Sequence, residues 1–185
     1  LPGKLIQNII SHGVCKIAEY LPTDNPSVIA HGQTSPLLKS IGENDIIDEL
    51  RVIIYDNNST TAYFTFSSQM NPKLHQFRVH GPKNSLILDD DNQTLIQLKG
   101  GKYKSYLNHF IPPLLYSRQY LQNSIFNVYR FVKMDFHMTY GMKYLIESFH
   151  RSISENTPLP LSYKEILLTS RIMDAIFVQT NSHSS

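Results

Sequence analysis

Asn8 and His12 stand four residues apart in the stretch GKLIQNIISHGVCKIAEYL. On a helix that spacing makes them neighbours on one side, where they can hold one polar ligand between them. The same two residues also fit a plain surface histidine on a core-packing helix. Other chemistry-bearing groups are less well placed. Asp89, Asp90 and Asp91 precede Asn92, but a calcium loop starting at Asp89 would need a closing Glu where Gly100 stands. A solvated turn accounts for them better. The eight histidines form no H-E-x-x-H or Cys/His cluster, so local spacing builds no zinc site. Cys15 has no neighbour that marks it as a nucleophile. Gly100 and Gly101 are the paired glycines, and neither a G-x-G-x-x-G nor a G-K-[ST] loop occurs.

The element that positions Asn8 and His12 is an amphipathic helix. At about 100° per residue, Leu5, Ile6, Ile9, Ile10, Gly13, Val14, Ile17, Tyr20 and Leu21 share one half of the wheel, while Lys4, Asn8, Ser11, Cys15 and Glu19 share the other. The prolines of PTDNP end it. A strand is expected near Ser27 to Gln33, then a polar connection through TSPLLKSIGENDI. Two alternating runs follow around a turn at Asp56, Asn57, Asn58 and Ser59, residues that suit a hairpin. Leu50, Val52 and Ile54, with Ala62, Phe64 and Phe66, form one apolar face that calls for helices on it. The opposite face collects Arg51, Ile53, Tyr55, Thr61, Tyr63 and Thr65, and is expected to extend to Gln76, Arg78 and His80. Three more short strands are punctuated by HGPKN and DDDN.

From about Pro113 the period becomes helical. Met138, Met142, Leu145, Ile146, Phe149 and Ile153 predict one apolar stripe, and Ser162 with Glu165 has the spacing of a capping box at the start of a last helix. The expected fold class is α+β, an open, mainly antiparallel sheet with helices packed on one face. Residues 1–178 are read as one domain and 179–185 as a flexible tail.

Composition narrows the functional classes. The chain has 185 residues, 41% of them hydrophobic, enough for a sizeable core. A net charge of +2 with 17% charged residues predicts neither nucleic acid nor a membrane as partner. One cysteine forms no internal disulfide, which points to a reducing, cytoplasmic setting. No apolar run of spanning length is present, and residues 1–21 lack the flanks of a signal peptide.

The order of a helix bearing His12, an antiparallel sheet containing FRVHGPKNSLILDDD, and the closing segment GMKYLIESFHRSISENTPLPLSYKEILLTSRIMDAIF resembles the C-terminal domain of the Gfo/Idh/MocA oxidoreductases, the glucose-fructose oxidoreductase and inositol dehydrogenase family. The likeness covers roughly residues 3–178. GKLIQNIISH is similar to that family's G-G-x-L-x-D-x-x-x-H, with Gly3 and His12 matching, Lys4 at the second glycine and Asn8 at the aspartate. Cys15 stands where a further Asp is common, and Asn84 replaces a turn glycine while still tolerating positive φ.

What the resemblance implies is a substrate domain of an NAD(P)-dependent enzyme acting on a sugar, cyclitol or related hydroxyl compound. His12 would be catalytic and Asn8 substrate-binding, with NAD or NADP held mainly by an N-terminal domain outside this chain and with no metal. It further implies a homodimer through the open sheet face. Asn8 in place of the carboxylate leaves a non-catalytic sensor or scaffold of the same fold as the alternative.

Overall fold

Helix α1, Ile6–Ala18, forms where the 3.6-residue period is cleanest, and it buries Ile6, Ile10, Val14, Ile17 and Ala18. The computed structural model describes residues 6–57, 60–100, 103–134 and 140–181. Gly3, Lys4, Leu5, Asn58, Ser59, Gly101 and Met138, all used in the sequence reading, lie outside those residues. The fold class is α+β, but the six strands of the described residues divide into two open antiparallel three-stranded sheets. The chain forms two compact units, residues 1–70 with 148–185, and residues 71–147.

In the first unit, β1 (Ser27–Gln33), β2 (Glu49–Tyr55) and β3 (Thr61–Ser67) pair in chain order. Leu50, Val52 and Ile54 of the central strand are buried, each contributing about 1.5–3 kcal/mol relative to exposure. They share the expected inner face with Ala30 and with Phe64, the cross-strand partner of Val52. The helices on that face are α1 and α5, Tyr163–Asn181, whose Leu168, Ile172 and Ile176 complete the core. Ser162 and Glu165 close the predicted capping box reciprocally: the Ser162 N–H donates to Glu165 Oε2 at 2.8 Å, and the Glu165 N–H donates to Ser162 Oγ at 3.2 Å. TSPLLKSIGENDI is not wholly irregular, because Pro36–Ser40 form the short helix α2, capped by Ser35 Oγ.

The last helix runs to Asn181, three residues beyond the boundary expected at 178. Gln179 explains the extension. Its side-chain amide accepts from the Ala30 N–H at 2.9 Å and donates to the Val28 carbonyl at 2.8 Å, pairing with the free edge of β1 as a strand would.

In the second unit, β4 (Gln76–His80), β5 (Asn84–Asp89) and β6 (Thr94–Lys99) form the other sheet. Gln76, Arg78 and His80 therefore do not extend the outer face of the first hairpin. Asn84 is extended, as the first residue of β5, and its carbonyl accepts the Gly81 N–H at 3.0 Å; the turn needs no left-handed residue there. A 3₁₀ turn, Ser105–His109, leads into α3, Ile111–Val132. Gln119, Asn123 and Asn127 of α3 lie along the outer edge of β6. Gln119 bonds both the N–H and carbonyl of Gln97 at 2.8 and 3.0 Å, Asn123 both groups of Leu95 at 3.2 and 3.1 Å, and Asn127 the Asn92 and Gln93 carbonyls. Ile96 is the only fully apolar side chain buried in this unit among the described residues. Helix α4, Tyr140–Ser154, forms as its period predicts, yet Met142, Ile146, Phe149 and Ile153 of its stripe stay exposed.

Asp48 joins three segments of the first unit. Its carboxylate accepts from the Ser35 N–H at 2.6 Å, Ser68 Oγ at 2.7 Å and Gln69 Nε2 at 3.1 Å, although only 3% of the residue is exposed. Burial pushes the carboxyl upward, but the bonds from Ser68, Ser35 and Gln69 outweigh it and hold Asp48 below its ordinary value. In the second unit the Asn92 N–H, with Gln76 and Asn92 amides, does the same for buried Asp89. Both carboxyls bind their protons less tightly folded than unfolded. Their stabilising contribution is complete above the unfolded value near 3.9 and is lost as pH falls through the lower folded values. Asp48→Asn should cost about 1–3 kcal/mol at neutral pH. Urea unfolding across an acid series should show that difference shrinking as pH drops below about 4.

Candidate functional site

Asn8 and His12 lie one turn apart on α1, and both are exposed. The opposite side of the helix is anchored by Ile10, Val14 and Ile17 in the core. The exposed pair thus stands on a rigid support. Ser11 Oγ donates to the Asn8 backbone carbonyl at 3.0 Å within the helix. Ile9, 44% exposed, adds an apolar surface beside the two polar groups. Cys15 is half-buried with a free thiol. An imidazole and an amide in this arrangement can exchange a proton with a ligand hydroxyl and hold that hydroxyl in place. Neither can accept or deliver a hydride.

Gly13 sets how closely α1 approaches the sheet. A methyl group there would overlap the edge of the Phe64 ring on β3. The residue beside His12 is therefore a packing residue that fixes the height of the exposed side above the sheet.

The Asp89–Asn92 segment is a turn, but Asp89 is buried within it rather than solvated. Asp91 is engaged by His75: Nδ1 lies 2.7 Å from Oδ1, and the His75 N–H donates to Oδ2 at 3.0 Å. Those bonds, the side-chain one first, hold the Asp91 carboxyl below its usual range. Asp90 closes the same end, its N–H donating to the His75 carbonyl at 2.9 Å. The acidic run thus fastens the start of β4 to the β5–β6 turn. No three metal-ligating side chains come together among the described residues.

Among the described residues, α3 carries Pro112 and Pro113 in its first turn and α5 starts on the Glu165 carboxylate, so neither of these two helix starts offers the free N–H groups that a pyrophosphate needs. Sequence reasoning did not single out Asp48, Gln179 or the amides of α3, which act on the framework. The signal for the last was three amides at positions i, i+4 and i+8.

No family model matches the chain, and no curated protein matches it. Among solved structures it is similar to the crystal structure of an oxidoreductase (TM0312) from Thermotoga maritima, with 15% identity and a TM-score of 0.49. The match takes in 95% of this chain and 42% of that one. The chain thus spans less than half the length of the oxidoreductase, and so distant a likeness carries no argument about activity.

The packing at Gly13 yields a test of how the site is supported. Gly13→Ala gains about 1 kcal/mol of helix propensity but must displace the Phe64 ring, at about 1–3 kcal/mol. A net loss of stability is expected, read as a lower urea midpoint. In the Phe64→Leu background the same substitution should cost less, which a double-mutant cycle measures directly.

Proposed function

We propose that the chain is the substrate domain of an NAD(P)-dependent oxidoreductase acting on a CH–OH group of a sugar, cyclitol or related compound. The observation that carries this reading is the exposed Asn8 and His12, one turn apart on a core-anchored helix, in the stretch that resembles the Gfo/Idh/MocA motif. His12 takes the proton of the substrate hydroxyl as its carbon is oxidised, and returns it in the reverse direction. Asn8 holds the same or a neighbouring hydroxyl. The chain carries neither a G-x-G-x-x-G nor a G-K-[ST] loop, so this reading assigns NAD or NADP to a domain outside it. We place the protein in the cytoplasm, in keeping with its single cysteine.

The outer face of the first sheet supports a homodimer in the same proposal. Ile29, Ile53 and Tyr63 form one cross-strand row, with Tyr63 73% exposed. Beside it Glu49 and Arg51 pair at 3.0 Å, so the patch carries balanced charge and does not repel a second copy of itself.

In the protein joined to its cofactor domain, His12→Ala should lower turnover by about 10²- to 10⁴-fold. Stability should change by less than about 0.5 kcal/mol, because the residue is exposed. Parental turnover with an unshifted pH profile would remove His12 from the mechanism and favour the sensor or scaffold reading, which Asn8 in place of a carboxylate suggests. For the dimer, sedimentation equilibrium should give twice the chain mass, shifting toward monomer in Tyr63→Glu; a monomeric parent at high concentration counts against it.

A further inference from the structure

We draw no further inference here: the strongest candidate, the exposed apolar side of helix α3 formed by Leu114, Leu121, Ile125, Val128 and Val132, carries none because nothing in the structure shows what covers it.

Discussion

Three-stranded sheets leave two edges each, and every edge residue that points its N–H and carbonyl outward needs a partner. In both units a helix supplies that partner with side-chain amides, a primary amide having the same donor and acceptor as a peptide group. Gln179 of α5 does so at β1, and Gln119 and Asn123 of α3 do so at β6. The spacing permits a ladder. Four helical residues advance about 6 Å, close to the roughly 6.7 Å between alternate residues of a strand, so successive amides on α3 meet successive outward-facing positions on β6.

This constraint explains features that hydrophobic patterning alone leaves unexplained. α5 continues to Asn181 because Gln179 has strand groups to satisfy. α3 turns its amides, and not its aliphatic side, toward the sheet, and its leucines and valines consequently face outward. The two units differ accordingly. The first closes a core of Leu, Ile and Val between α1, α5 and the inner sheet face, which gives Asn8 and His12 a firm base. The second is held by polar groups at a sheet edge and keeps its apolar surface available.

The buried carboxylates serve the same end at the loops. Asp48 gathers N–H and O–H donors from the α2 start and the β3 end, and Asp89 with Asp91 fastens the β5–β6 turn to the start of β4. Asp48 and Asp89 stay ionised while out of water because several donors converge on each, whereas Asp91 is exposed. These are framework charges, and their sequence disguise is that an acidic residue in a polar loop looks solvated.

Local order determined a good deal. The period of α1, the alternation of the β2–β3 hairpin, the limits of β1 and the Ser162–Glu165 cap are all set by neighbours within a few residues, and each could be read from the chain. That Asn8 and His12 share an exposed side of α1 was likewise legible. What only tertiary structure decided involves partners far apart in sequence. Gln76, Arg78 and His80 pair within a second sheet, because alternation names a strand's faces but not its neighbour. Gln179 meets Val28 and Ala30 across about 150 residues, and Asp48 meets Ser68 across 20. No periodicity encodes such a meeting, since a side-chain amide or carboxylate has the same polarity in solvent as against a strand edge, and only the folded chain brings the edge to it.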